Sequence, residues 1–274
     1  MQLIDGRKLA LRIREELKKD VATLPRPPKL GVILVGDDAA SHTYVNLKEK
    51  AAHEAGILTD IRHLEIHTPE SEILRIIEEW NQDTTLDGIL VQLPLPEGYD
   101  TDKIIAALDP KKDADGFHPI NVENLLAGQG TIIPPVHEGV LRLIAETPLA
   151  VNTARAVVIG NSEVFTAPLV HLLKTAGCLV TYFHPDELDR EALAKAQIII
   201  SAVGRPGLIR RGMVSAETCI IDVGTTRLED GRIVGDVDAE SLAGLEGWLS
   251  PVPGGVGPMT IAMLLKNVVM LAKQ

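Results

Sequence analysis

The stretch KLGVILVGDD, residues 29–38, decides the fold class of this 274-residue chain. Its first part is an unbroken run of mainly Leu, Val and Ile that stops at Gly36, which is typical of a strand buried on both faces of a sheet. The segments that follow alternate helical and strand patterns, so the sequence predicts parallel βαβ units. The predicted elements here are a strand over Lys29–Val35, a helix over 41–55 with Ser41 as N-cap and Gly56 as stop, a strand over 57–66, a helix over Ser71–Asn81 and a strand over Gly88–Leu93.

The same alternation starts again beyond Pro148. A strand, a turn at Gly160–Ser162 and a helix follow one another there, and further apolar runs predict the remaining strands of a dinucleotide-binding sheet. We therefore predict the α/β fold class, with two α/β domains of which the second is a Rossmann-like parallel sheet. The predicted elements are strands over Ala154–Ile159, Leu179–Phe183, Ile198–Ala202 and Cys219–Val223, and helices over 6–20, 137–147, Phe165–Ala176 and Met259–Lys273.

Composition and charge exclude several classes of protein. The net charge of −11 argues against the basic surface that nucleic-acid binding requires. No apolar run approaches the roughly 18 residues of a membrane span, and the charges within residues 1–20 exclude a secretory signal. Cys178 and Cys219 lack CxxC spacing and lie in apolar surroundings, so we expect no disulfide. We expect a cytoplasmic protein with neither nucleic acid nor membrane as a partner.

Tyr44 and Lys48 form the first candidate for chemistry. They are four residues apart in a predicted helix and therefore share one face. A tyrosine there can stack on a flat substrate, and a lysine in a dry pocket can have its pKa lowered until it transfers protons. The alternative is a surface tyrosine beside a solvated lysine. The same spacing occurs in short-chain dehydrogenases, but there it follows the glycine-rich turn, whereas here it precedes that turn.

Two further polar positions follow the predicted strands. Gln92 is the polar residue at the carboxyl end of an apolar strand, where ligands bind in parallel sheets; alternatively it pairs with neighbouring backbone. Asp115 lies in a charged turn, where a carboxylate can accept two hydrogen bonds from an N–C–N edge; alternatively it is an exposed turn residue. His118 could act as a base or metal ligand, but no partner His or Cys lies at ligand spacing, so we predict no metal site.

Two glycine-containing segments complete the candidates. Residues 158–166, VIGNSEVFT, run from a strand through Gly160 into a helix, which is the context for a pyrophosphate at a helix N-terminus. Residues 251–260, PVPGGVGPMT, form a loop that opens the last helix and in which Gly254 and Gly255 allow close approach of backbone to a ligand.

These segments, taken together and in this order, resemble the methylenetetrahydrofolate dehydrogenase/methenyltetrahydrofolate cyclohydrolase family over nearly the whole chain. The resemblance implies two α/β domains flanking a cleft: a folate-binding catalytic domain over 1–147, on which helix 259–273 packs back, and a Rossmann-like nucleotide-binding domain over 148–258. It implies oxidation of methylene- to methenyl-tetrahydrofolate with NADP, followed by hydrolysis to 10-formyltetrahydrofolate. It also implies tetrahydrofolate derivatives as ligands and a homodimer formed through the nucleotide domain.

The resemblance also assigns roles to residues. Lys48 would handle the proton of the cyclohydrolase step, Tyr44 would stack on folate, Gln92 would tune Lys48, and Asp115 would hold the pterin edge. The substrate-binding set would be Tyr44, Gln92, Leu93, Pro94, Asp115, Pro253, Gly254 and Gly255. The cofactor-binding set would be Gly160, Asn161, Ser162, Val164, Ser201, Val203, Gly204, Gly224 and Thr225.

The chain departs from the family pattern on the nucleotide side. The segment 134–139 reads PPVHEG where P-C-T-P-x-G is usual, and Phe165-Thr166 replaces Val-Gly. Asn161 stands where Arg is frequent, and HPDE, residues 184–187, follows the second strand, where acidic groups suit a free ribose hydroxyl better than a 2′-phosphate. Arg205 or Arg227 could compensate. The alternatives are therefore NAD in place of NADP, a cyclohydrolase with weak or lost dehydrogenase activity, or a non-catalytic folate-binding scaffold.

Overall fold

The computed structural model describes residues 1–274 and contains two compact units. Unit 1 comprises Met1–Ala10 and Val136–Thr260, and unit 2 comprises Leu11–Pro135 and Ile261–Gln274. This division differs from the predicted boundary at residue 148. The helix before that position belongs to unit 1, where a methyl group placed on Gly139 would lie 3.1 Å from Met259 Cβ.

The order of helices and strands confirms the predicted α/β class. No helix is long and apolar enough to cross a membrane. In chain order the elements are β1 (Gln2–Leu3), α1 (Gly6–Val21), β2 (Lys29–Val35), α2 (Ala39–Ala55), β3 (Leu58–Leu64), α3 (Glu70–Gln82), β4 (Gly88–Val91), α4 (Thr101–Ala106), α5 (Pro119–Leu126), α6 (Pro135–Ala145), β5 (Arg155–Gly160), α7 (Glu163–Thr175), β6 (Leu179–Phe183), α8 (Arg190–Lys195), β7 (Ile198–Ala202), β8 (Cys219–Asp222), β9 (Thr226–Arg227), β10 (Ile233–Val234), β11 (Trp248–Leu249) and α9 (Val256–Leu271).

Unit 2 is built on a three-stranded parallel sheet of order β3-β2-β4. The central strand β2 is buried on both faces, as its sequence predicts. Its two faces belong to different apolar clusters. One contains Leu30, Val32 and residues of α9 such as Leu264, and the other contains Ile33 together with Trp80 of α3.

Unit 1 contains a six-stranded sheet of order β1-β11-β8-β7-β5-β6 in which every pairing is parallel. The central strands consist mainly of Ile and Val, which are almost completely buried. Residues 1–10 belong to this unit because β1 pairs with β11, with Gln2 opposite Trp248. The free cysteines, Cys178 and Cys219, are both buried.

Several boundaries differ from the sequence prediction. Helix α2 begins at Ala39, and its N-cap is Asp38, whose carboxylate accepts the Ser41 N–H at 2.7 Å; the prediction of Ser41 as the cap was wrong. Gly56 ends α2 with φ of +82°, as predicted. Helix α9 begins at Val256, inside the predicted glycine loop. The short elements α4, α5, α8, β1 and β9–β11 were not predicted because they span too few residues to show a period.

Two buried aspartates organise the carboxyl end of the unit 1 sheet. Asp236 accepts hydrogen bonds from Ser201 Oγ at 2.7 Å, Val203 N at 2.9 Å and Arg205 N at 2.7 Å. Asp222 accepts the N–H groups of Gly224, Asp236 and Val237 at 3.0–3.1 Å. These two carboxylates therefore fix the loops that follow β7 and β8.

Replacement of Asp236 by Ala is expected to destabilise unit 1. It would leave the buried Ser201 hydroxyl and the partly buried N–H groups of Val203 and Arg205 without their acceptor, which costs about 3 kcal/mol of the free energy of unfolding. Urea denaturation followed by circular dichroism measures this. The matched control is Asp230→Ala, because Asp230 is exposed and pairs only with the nearby Arg232; it should change stability by less than about 0.5 kcal/mol. Equal stability of the two variants would contradict the assigned role.

Candidate active site

Lys48 is the centre of the candidate site in unit 2. It lies on α2 and is only 6 % exposed. Its Nζ donates a hydrogen bond of 2.8 Å to Gln92 Oε1. Gln92 follows β4, and its Nε2 donates to the Leu93 carbonyl at 2.6 Å, which directs Oε1 at the lysine. The amide at the strand end therefore holds the amine in one position.

Tyr44 lies one turn before Lys48 on the same helix. The Lys48 Nζ is 5.8 Å from the centroid of the Tyr44 ring. The ring is half-buried and packs against the apolar cluster of α2 and α9, and burial raises the pKa of its phenol. Tyr44 and Lys48 therefore lie on the same face of α2, as predicted. Lys48 is buried, so the alternative of a solvated lysine is wrong.

Burial and one carboxylate set the charge of the lysine. Burial lowers the pKa of Lys48, and the charge of Asp115 opposes this shift. The pKa of Asp115 is raised to about 6, mainly by burial, while Lys48 lowers it and Asp113 raises it further. A lysine of lowered pKa beside a carboxylate is better suited to gaining and losing a proton than a solvated lysine is.

The turn that positions Asp115 is organised by its neighbour Asp113. The buried Asp113 carboxylate accepts from Gly116 N at 2.9 Å, His118 N at 2.8 Å and Asn121 Nδ2 at 2.9 Å. Asp113 was not among the predicted site residues, although an Asp three residues before a Gly is a common turn signal. His118 caps α5, because its Nδ1 accepts the Ile120 N–H, so its role is structural.

The other predicted substrate residues lie in two loops. Leu93 and Pro94 directly follow Gln92 in unit 2. Pro253 is exposed, whereas Gly254 and Gly255 are buried in unit 1. The Gly255 N–H donates to the Pro251 carbonyl at 2.7 Å, and the Gly254 carbonyl accepts from Arg7 N at 3.1 Å. These two backbone groups are therefore already paired within their own unit.

The turn after β5 has the form that a dinucleotide pyrophosphate requires. The Ser162 side chain accepts the Phe165 N–H at 3.4 Å and thereby caps α7. Asn161, Ser162 and Val164 are exposed at this N-terminus, where unpaired N–H groups favour phosphate. A Cβ on Gly160 would lie 2.5 Å from Thr166 Cγ2, so only glycine fits there. The residues present thus fit the group, although Glu163 adds an exposed negative charge.

The departures from the family pattern in this unit contact one another. His137, from the changed segment 134–139, is buried and its ring lies 4.7 Å from that of Phe165, edge to face. Burial lowers the pKa of His137 to about 3, so its ring is a neutral packing group. Thr166 is buried against Gly160, and its Oγ1 donates to the Ser162 carbonyl at 2.9 Å. The substituted side chains therefore pack internally.

The remaining predicted cofactor residues lie in the loops fixed by Asp222 and Asp236. Ser201 is completely buried, and its hydroxyl donates to Asp236. Val203 is half-buried, Gly204 and Thr225 are exposed, and Gly224 is buried. The Asn161 side chain donates to the Val203 carbonyl at 3.4 Å, which joins the turn after β5 to the loop after β7.

These features define a class of protein: a two-domain α/β enzyme with a nucleotide-binding sheet in one unit and a buried lysine, hydrogen-bonded to a glutamine, in the other. Comparison with known protein families identifies one family for both parts of the chain. Residues 4–115 match the tetrahydrofolate dehydrogenase/cyclohydrolase catalytic domain, and residues 134–274 match the NAD(P)-binding domain of the same family. The chain belongs to the tetrahydrofolate dehydrogenase/cyclohydrolase family, which confirms the resemblance found in the sequence.

Individual relatives agree with this assignment. The bifunctional protein FolD of Campylobacter hominis is 44% identical over 277 residues, which cover 100% of this chain and 98% of the relative. The structure of the bifunctional FolD methylenetetrahydrofolate dehydrogenase/cyclohydrolase from Campylobacter jejuni has a TM-score of 0.95 at 42% identity and covers 100% and 99% of the two chains. FolD of Trypanosoma brucei, complexed with NADP and an inhibitor, has a TM-score of 0.94 at 33% identity and covers 99% and 97%.

Replacement of Asp115 by Asn is expected to lower the pKa of Lys48 further, because the carboxylate that favours the ammonium form is removed. The midpoint at which Lys48 becomes neutral should therefore move to lower pH. NMR titration of the protein labelled with ¹³C at the lysine Cε atoms measures this midpoint. The signal that is missing from the spectrum of Lys48→Met is that of Lys48. The signal of Lys50, which is exposed on the same helix, serves as the reference. An unchanged Lys48 midpoint would show that Asp115 does not act on the amine.

Proposed function

We propose that this chain oxidises 5,10-methylenetetrahydrofolate to 5,10-methenyltetrahydrofolate with NADP and hydrolyses the product to 10-formyltetrahydrofolate. Family membership over the full length supports both activities. The observation that carries the hydrolytic half is the buried Lys48, hydrogen-bonded to Gln92 and electrostatically coupled to Asp115. A non-catalytic scaffold would gain nothing from a lysine buried at such a cost in desolvation.

In the hydrolytic step Lys48 acts as the base. The methenyl carbon of the substrate carries positive charge shared between two nitrogens, so the attack of water needs a proton acceptor rather than an oxyanion hole. Neutral Lys48 Nζ accepts a proton from the water as its oxygen bonds to that carbon. The hydroxyl group now on this carbon then loses its proton and becomes the formyl carbonyl as the bond to N5 breaks. N5 takes up a proton, and the formyl group stays on N10. One proton is released to solvent overall.

Tyr44 and Asp115 would orient the folate. The half-buried Tyr44 ring offers an apolar face on which a pterin ring stacks. The Asp115 carboxylate would accept two hydrogen bonds from the N–C–N edge of the same ring. Since its pKa is about 6, this carboxylate is mostly ionised above that pH and accepts such bonds best there.

NADP, when bound, supplies the hydride acceptor of the first step. We propose that the turn at Gly160, Asn161 and Ser162 holds its pyrophosphate, with Val164 beside it. The loops after β7 and β8 would complete the site. Protein groups need only align the substrate with the nicotinamide, since the hydride chemistry belongs to the cofactor. The proposed form is a cytoplasmic homodimer that associates through the nucleotide-binding unit.

Replacement of Lys48 by Met is expected to lower the cyclohydrolase rate by about 10²–10⁴-fold, the usual contribution of a positioned base. The decay of the methenyl-tetrahydrofolate absorbance measures the cyclohydrolase rate. The rise of the same absorbance, starting from methylene-tetrahydrofolate and NADP, measures the dehydrogenase rate. Lys50→Met, on the exposed face of the same helix, is the control and should keep both activities. Full cyclohydrolase activity in Lys48→Met would refute the assigned role.

A cyclohydrolase with a weakened or NAD-preferring dehydrogenase is the second candidate. The observation that favours it is the acidic segment after β6, where a free ribose hydroxyl is bound in many Rossmann folds. Asp186 in this segment pairs with Arg205 Nη1 at 2.9 Å. The guanidinium thus offsets the charge that would repel a 2′-phosphate, and it can itself bind that phosphate.

Replacement of Arg205 by Ala is therefore expected to weaken NADP binding at least about tenfold, since a hydrogen bond to a charged group contributes about 1.5–3 kcal/mol. NAD binding should change little, and Asp186→Ala should strengthen NADP binding. Isothermal titration with each dinucleotide measures the three affinities, with the exposed Arg210→Ala as control. Equal losses for NADP and NAD would mean that Arg205 does not discriminate between them.

A further inference from the structure

Two histidines and one carboxylate meet in unit 2, outside the residues assigned above. The Asp37 Oδ1 lies 3.7 Å from His42 Nε2 and 3.4 Å from His63 Nε2. All three ligand atoms lie within 4.8 Å of one another. The two rings stand edge to face, with centroids 4.5 Å apart. Three side chains that can each bind a metal ion therefore lie close together.

The spacing of these atoms fits a metal ion of one size. Ligands about 2.0–2.2 Å from a tetrahedral Zn²⁺ lie about 3.3–3.6 Å apart. The two distances from Asp37 already match that edge to within a few tenths of an ångström. Imidazole nitrogens with one carboxylate suit zinc and neighbouring first-row ions, whereas Mg²⁺ and Ca²⁺ prefer oxygen ligands throughout.

The backbone around the cluster is already fixed without an ion. Asp37 follows β2 directly, and His63 lies in β3, opposite Leu34 of β2. The Gly36 N–H donates to the Leu64 carbonyl at 2.9 Å, which ties the end of β2 to the end of β3. His42 lies in the first turn of α2, which is capped by Asp38. The three side chains thus come from three elements whose relative positions are set by the sheet.

We propose that Asp37, His42 and His63 form a site for one divalent first-row transition-metal ion, with Zn²⁺ as the best fit. Three protein ligands leave one tetrahedral position for water or another ligand. His63 Nε2 lies 3.1 Å from the Gly36 carbonyl, so binding requires that its proton move to Nδ1. The ion would join the ends of β2 and β3 to the start of α2, the helix that carries Tyr44 and Lys48.

The test uses the full chain, produced without a polyhistidine tag and stripped with a chelator. Isothermal titration with ZnCl₂ should give one ion per chain, and Co²⁺ should give the strong visible absorption of tetrahedral coordination. The variants His42→Ala and His63→Ala should each weaken binding at least about tenfold, as loss of one ligand requires. Zn²⁺ should also raise the melting temperature of the wild type but not that of these variants.

The matched control is His67→Ala, an exposed histidine four residues beyond His63 that is not part of the cluster. It should bind Zn²⁺ as the wild type does. Unchanged melting temperatures of all variants without metal would show that the fold is intact. Absence of stoichiometric binding, or equal binding by His63→Ala and the wild type, would overturn the proposal. Dehydrogenase and cyclohydrolase rates of the metal-free chain test the proposed function separately.

Discussion

The burial of β2 on both faces is the constraint on which unit 2 depends. A strand without a solvent face needs cover on each side, and the chain provides it with α9 on one side and α3 on the other. The strand ends at Gly36, and the next residues cap α2, so that the helix starts at a fixed point above the sheet. The positions of Tyr44 and Lys48 follow from that start, and Gln92 meets the amine because β4 is the neighbour of β2.

Much of this arrangement could be predicted from the sequence, because it rests on local patterns. The run over Lys29–Val35 contains its own strand signal, and a four-residue spacing places Tyr44 and Lys48 on one helix face. The N-cap of α2 was predicted at Ser41 but lies at Asp38, because both are good capping residues and the local sequence does not rank them. The contact between Asp37 and His63 could not be predicted. It depends on the register of β2 against β3, which no local pattern encodes.

The nucleotide-binding unit shows how departures from a family pattern can be accommodated together. His137 and Phe165 are 28 positions apart in the sequence, yet their rings contact each other in the core. Thr166 fills the space that the absent Cβ of Gly160 leaves. Each of these departures from the family pattern, considered alone, suggests that the nucleotide-binding turn after β5 has been lost. In the structure His137 packs against Phe165, and Thr166 packs against Gly160. Asn161, Ser162 and Val164 of the turn stay exposed.

The path of the chain between the two units has a consequence for inheritance. The chain passes from one unit to the other at three positions, after Ala10, Pro135 and Thr260, and helices α1 and α9 each contain residues of both units. Neither unit is therefore one continuous segment of the gene. A single recombination event cannot exchange one unit for a homologous copy without cutting a helix or separating a strand from its sheet. Exchange of one unit alone would therefore need crossovers at all three of these positions.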